Sequence, residues 1–229
     1  MKLTTSNLIR WTGLSAIMAG VLYVLVGIFH PLNVLSSVNT TEWIVVHIFA
    51  TAMCFFGLLG ITGLYARQMK KTGWLGLAGF LLLSLWLILI GGFTFVEVFI
   101  LPVLATTTPA FVEGFLGSYS GTANGTDFGV LTAVWNLTAP LYILGGLSFG
   151  IATIRAGLLS RWAAGLLAFG TALAPLAALL PADFAPKVAV PVGLALAWLG
   201  YSLWSERPAY VVDPVPGREK SQSQPILAE

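Results

Sequence analysis

Apolar runs alternate with short polar breaks along most of the chain, and six runs can be read: 8–30, 43–66, 73–104, 128–154, 158–180 and 187–204. A helix rises 1.5 Å per residue, so about 20 apolar residues cover the roughly 30 Å of hydrocarbon in a bilayer. The pattern predicts an all-α protein with six transmembrane helices packed as a bundle. Strand-type alternation is absent, and an open sheet edge cannot face lipid, which leaves the helix as the spanning element. The first run is longer than a signal-peptide core and no A-x-A site follows it, so it reads as a retained helix.

Small residues recur at helical spacing within these runs. Ala16, Gly20, Tyr23, Gly27 and His30 share one face of the first helix. Gly57, Gly60 and Gly63 do the same in the second, Gly146 and Gly150 in the fourth, and Gly193, Ala197 and Gly200 in the sixth. Lipid tails are as apolar as leucine, so helices in a bilayer associate by close backbone approach, and these faces predict internal packing rather than a dimer surface. Pro140 and Pro175 fall within the fourth and fifth runs, where proline removes a backbone donor and kinks a helix.

One break, 105–127, is long. Thr108 and Pro109 supply an N-cap and a first-turn proline for a short helix over 110–116. Its apolar side, Phe111, Val112, Phe115 and Leu116, suits either a connector lying flat on the outer membrane surface or a lid over an outward cavity. The stretch 118–126 reads as flexible linker, being rich in Gly, Ser, Thr and Asn. Residues 1–204 therefore form the transmembrane domain, and 205–229, with Pro208, Pro214, Pro216 and Pro225, an unfolded cytoplasmic tail.

Charge orients this arrangement. Of the 11 Lys and Arg residues, all but Lys187 lie at or beside the termini or the second and fourth breaks: Lys2, Arg10, Arg67, Lys70, Lys71, Arg155, Arg161, Arg207, Arg218 and Lys220. Positive charge near span ends stays cytoplasmic, so both termini are expected inside, in a bacterial inner membrane. Trp11, Tyr65, Trp74, Trp162, Tyr201 and Trp204 would mark the inner interface and Trp43 the outer one. Composition agrees: 57% of residues are hydrophobic and 9% charged, against about 25% charged in soluble domains. The net charge of +2 points to no nucleic-acid partner, and the single cysteine, Cys54, excludes an intramolecular disulfide.

Two basic turns, GLYARQMKKTGWLGLAGF (63–80) and FGIATIRAGLLSRWAAGLL (149–167), place Arg67 and Trp74 in the same register as Arg155 and Trp162, which suggests a parallel repeat. Together with LAWLGYSLW (196–204) these turns resemble those of uncharacterised multi-pass, six-helix membrane proteins of bacteria. The resemblance implies a polytopic membrane protein and no particular activity.

Ionisable groups inside a bilayer are costly and mark candidate sites. His30 lies about 28 Å beyond Trp11, and Glu97 about 34 Å beyond Trp74, at helical rise. His47 follows Trp43 by one turn, so all three converge on the outer leaflet. Asn136, sharing a face with Thr132 and Pro140, completes the expected ligand-binding set of His30, His47, Glu97 and Asn136 around an outward-open vestibule. No HExxH or CxxC occurs, no nucleophile sits beside a base, and no phosphate-binding glycine loop is present, so neither a catalytic residue nor a cofactor is specified. The expected function is binding of a small-molecule or lipidic ligand, besides membrane lipids. Alternatives are an oxidoreductase subunit, with the histidines and Glu97 ligating a metal or the two histidines clamping a haem, and a structural accessory subunit docked to a membrane-protein partner.

Overall fold

The computed structural model describes residues 5–120 and 126–206, and all regular structure among them is helical. The helices are α1 (Thr5–Phe29), α2 (Thr41–Phe99), α3 (Leu101–Thr107), α4 (Pro109–Ser120), α5 (Val130–Ala156), α6 (Arg161–Ala172) and α7 (Val190–Trp204), with short 3-10 turns at Leu35–Ser37, Ala174–Leu179 and Ala185–Ala189. Among the described residues four stretches are long and apolar enough to cross a membrane: Asn7–Phe29, Thr41–Phe99, Val130–Ala156 and Ala185–Trp204. Exposed Leu, Ile, Val, Phe and Trp side chains cover their outward faces, as lipid-facing surfaces require.

The 59-residue α2 is two helices in one. At Gly73 the backbone takes φ 57° and ψ −155°, a region open essentially to glycine alone, and the chain doubles back. Residues 74–99 then lie against 41–72, with Thr51 bonded to Thr94 and Leu87 over Gly57. The expected polar break at 67–72 is thus helical, and Arg67, Lys70 and Lys71 ride on the last turns before the reversal. Gly157 plays the simpler role between α5 and α6, ending α5 in the left-handed conformation at φ 62°.

Around the bundle, α1 packs on both α2 and α7, α2 on α5, α5 on α6, and α6 back on α7, so the circuit closes. Glycines set its tightest contacts. A methyl group at Gly193 would lie 2.7 Å from the Gly20 carbonyl oxygen, and one at Gly200 only 2.6 Å from that of Gly13. On the opposite side of α1, Gly60 faces the Ala16 backbone, while Gly150 meets Ala164 and Ala168 across the α5–α6 contact. The small-residue faces are therefore spent on internal packing.

Apart from Lys187, the described Lys and Arg residues lie at one end. Arg10 donates to the Trp204 carbonyl at the C-terminus of α7 (3.1 Å), satisfying an orphan acceptor. Arg67 pairs with Glu206 at 2.6 Å, and Ser160 at the α5–α6 turn donates its N–H to Ser202 of α7. Between α2 and α5 the buried Gln68 amide donates to Thr153 at 2.8 Å. Residues 207–229, expected as the unfolded tail, lie outside the described residues, as does 121–125 of the expected linker.

Two expectations need correction. The run 158–180 is α-helical only over α6, because Pro175 cannot continue the ladder, and the chain goes on as 3-10 helix over Ala174–Leu179. The third run ends as an α-helix at Phe99, and α3 starts afresh with Pro102 in its first turn.

Packing on α1 yields a test. Gly20→Val would force a side chain into Ala197 and the Gly193 carbonyl, whereas a methyl group at Gly92 meets nothing within 4 Å. In thermal or denaturant unfolding of the detergent-solubilised protein, Gly20→Val is expected to cost more than about 2 kcal/mol. Gly92→Ala is expected to be neutral or to gain up to about 1 kcal/mol through helix propensity.

Candidate functional site

The opposite end of the bundle carries the buried histidine and carboxylate. Thr40 caps α2 there, its hydroxyl accepting from the Trp43 N–H (3.2 Å) while donating to the Ser37 carbonyl (2.7 Å). With the helix start fixed, Trp43 and His47 stand one turn apart and stack at a centroid separation of 4.0 Å. The indole N–H crosses to the returning half of α2 and donates to the Glu97 backbone carbonyl at 2.9 Å. Trp43 is fully buried, not an interfacial anchor, because its polar atom finds that partner inside the protein.

Geometry fixes the tautomer of His47. Its Nδ1 lies 2.8 Å from the Trp43 carbonyl oxygen, which can only accept, so Nδ1 carries a proton. Nε2 then faces Glu97 Oε2 at 3.5 Å without a hydrogen-bond partner, in a residue only 1% exposed. In the neutral ring this sets a nitrogen lone pair against a carboxylate. A proton on either group, or another small cation between them, converts repulsion into attraction.

His30, the residue that follows α1, presents its ring edge-on to His47 at 5.2 Å and bonds through Nδ1 to the Pro31 carbonyl at 2.7 Å. Thr51, one turn below His47, donates to Thr94 at 3.1 Å and ties the two halves of α2 together beneath the pair. The structure thus brings His30, His47 and Glu97 into one cluster. Asn136 stands apart, exposed on α5, and takes no part in it.

Access is closed rather than open. Val112, Phe115 and Leu116 of α4 are buried against Val38, Trp43, Phe93 and Leu101, so the apolar side of α4 covers this end of the bundle. Phe111 is the exception at 40% exposed. Phe93 carries Trp135 of α5 edge-on at 5.1 Å, extending the aromatic cover sideways. An outward-open vestibule is replaced by a lidded pair, since burying three large side chains outweighs leaving α4 on the surface.

This arrangement limits what can bind. Among the described residues no three His, Cys, Asp or Glu side chains are disposed to hold a metal ion. A haem held from both faces needs two imidazole nitrogens facing each other across a flat slot, but His47 turns Nδ1 to the Trp43 carbonyl and Nε2 to Glu97, and His30 meets its ring edge-on at 5.2 Å. Comparison of the chain with protein-family models, curated proteins and solved structures gives no match.

Sequence reasoning missed Trp43, whose link to Glu97 spans 54 positions, although its spacing of four from His47 was a usable signal. It also passed over the Tyr23–Tyr142 pair, a 3.1 Å contact between hydroxyls on α1 and α5.

Trp43→Phe removes the indole donor together with one ring of a fully buried side chain. It is expected to lower stability by about 1–3 kcal/mol, the lost bond and the lost packing together, read from unfolding in detergent. An unchanged midpoint would mean that the Glu97 carbonyl does not depend on this bond.

Proposed function

We propose that this chain is an integral membrane protein of six crossings, with both termini in the cytoplasm, akin to the bacterial multi-pass proteins its turns resemble. In this reading it binds a small or lipidic ligand, without catalysis, at the outer-end cluster of His30, His47 and Glu97. The six crossings are α1, the two halves of α2, α5, α6 with its 3-10 continuation, and α7. Residues 161–179 extend about 30 Å, enough for the fifth crossing. Gathering of cationic residues at one end of the bundle supports a cytoplasmic location for that end.

The observation that carries the binding reading is the contact of His47 Nε2 with Glu97 Oε2, buried, 3.5 Å apart and lacking a hydrogen bond at the nitrogen. Ionisable groups at such depth cost several kcal/mol unless paired, and an apolar replacement packs at least as well. Their presence beneath a separate covering helix fits a site that opens. In this reading α4 lifts, the ligand's polar group meets the His47–Glu97 pair, and the aromatic residues around Phe93 take its apolar part.

Two experiments test the two halves. Reporter fusions are expected to place the 70–73 turn and the chain after Trp204 on the cytoplasmic side, and an exterior signal from either would overturn the threading. Native mass spectrometry of protein released from lipid nanodiscs is expected to show a bound small molecule or lipid, with occupancy reduced at least about tenfold in Glu97→Gln, as befits losing a charged hydrogen-bonding group. An identical adduct on both proteins, or none on the wild type, would remove Glu97 from any binding role.

A further inference from the structure

The non-helical backbone of the bundle is concentrated between α6 and α7, where the chain runs through the 3-10 turns Ala174–Leu179 and Ala185–Ala189. Irregular backbone within a bilayer is tolerated where it is enclosed by protein or lines a cavity. A cavity of about 190 Å3 lies here, lined by Gly170, Ala174, Ala177 and Pro186 and, from the other side, by Tyr23 of α1 and Tyr142 of α5. Apart from Pro186 and Val188, the residues on the 3-10 side are alanine and glycine, and their short side chains leave the space open.

The two tyrosines give the cavity its chemistry. Both rings are more than nine-tenths buried, and each packs against Trp86, at 6.2 Å for Tyr23 and 4.6 Å for Tyr142. Their hydroxyls share one hydrogen bond of 3.1 Å. Two phenols own two donor hydrogens, and a single shared bond consumes one of them. Among the described residues the remaining O–H and the spare oxygen lone pairs have no further partner, and a buried phenol seeks one. The walls offer no charge, which excludes an ionic ligand.

We propose that this cavity is a second binding site, taking a neutral amphiphile that presents a carbonyl oxygen to the Tyr23–Tyr142 hydroxyl pair and seats a small apolar body among the alanines. Size sets the class, since an apolar cavity of about 150 Å3 accommodates benzene. One six-membered ring ketone fits, and so does the ester segment of a bilayer lipid. The site stands independently of the His47–Glu97 cluster and does not require it.

The test uses the full chain labelled with 3-fluorotyrosine, its Tyr23 and Tyr142 fluorine resonances assigned by their loss in Tyr23→Phe and Tyr142→Phe. In phospholipid-free detergent, cyclohexanone is expected to shift the two resonances saturably and leave the other tyrosines unmoved. Tyr142→Phe, followed at the Tyr23 resonance, should weaken binding about tenfold, the loss of one hydrogen bond. Ala177→Leu, which fills the cavity without touching the phenols, should abolish it. Should Ala177→Leu fail to fold, judged by its melting midpoint, the Tyr142→Phe result decides alone. Nanodiscs of ester-linked and of ether-linked phosphatidylcholine distinguish the sources. Resonances that differ between the two discs identify the lipid ester as occupant, whereas identical resonances that still respond to cyclohexanone identify a free ring ketone. Resonances unmoved by cyclohexanone and alike in both discs would overturn the proposal, as would binding that survives Ala177→Leu.

Discussion

The rest of the structure depends on how closely α1 can approach its neighbours. A helix surrounded by other apolar surfaces gains little from burial, so its position is held by dispersion and weak polar contacts that act only at short range. At Gly13, Gly20, Gly193 and Gly200 the backbones of α1 and α7 touch, and on the other side Gly60 and Gly63 let α2 come equally near. Because α1 is held from both sides, the residue at its C-terminal end, His30, reaches His47, and Tyr23 two turns earlier reaches Tyr142. Both polar contacts are consequences of glycine placement more than of polar attraction.

The two ends of the bundle handle charge differently. At the basic end, Arg10 and Arg67 are spent on the last turn of α7 and on Glu206, contacts near the surface that lock termini to helices and are worth little individually. At the other end one carboxylate and one imidazole are buried 3.5 Å apart, beside the cluster that α4 covers. Desolvating such a pair is expensive, and a leucine and a phenylalanine would fill the same space at lower cost. Stability alone therefore gives no account of His47 and Glu97.

Much of this was legible in the residues and some was not. Apolar runs, glycine faces and the cationic bias predicted the helices and which turns gather at one end, because each follows from composition over a window. The convergence of His30, His47 and Glu97 followed from depth along a helix, a one-dimensional quantity. Lateral position is not one-dimensional. Asn136 lies at a suitable depth on α5 but on its exposed side, and a period of 3.6 residues cannot say which neighbour a face will meet. Trp43 was read as an interfacial anchor from its place at a span edge, where only the fold supplies the carbonyl that buries it. The lid over 109–120 was legible as amphipathic; the surface it covers, built from Val38, Trp43, Phe93 and Leu101, was not.

Proline and glycine also divide the work between the two corners of the fold. At Gly73 a single left-handed residue reverses the chain at the basic end and lets both halves of α2 stay helical to the turn. Between α6 and α7 the reversal instead takes seventeen residues, 173–189, with Pro175, Pro181 and Pro186 denying the backbone a continuous ladder. A bundle able to turn with one glycine has no geometric need for the longer path. What the longer path adds is a pocket bordered on one side by alanines and on the other by Tyr23 and Tyr142. The cover over His47 follows the same logic at the neighbouring corner, since a direct connection from Phe99 to Val130 would leave Trp43 and Phe93 without α4 above them. In both places the extra chain length lies at the end away from the basic turns of α2 and α5, and in both it surrounds buried polar side chains.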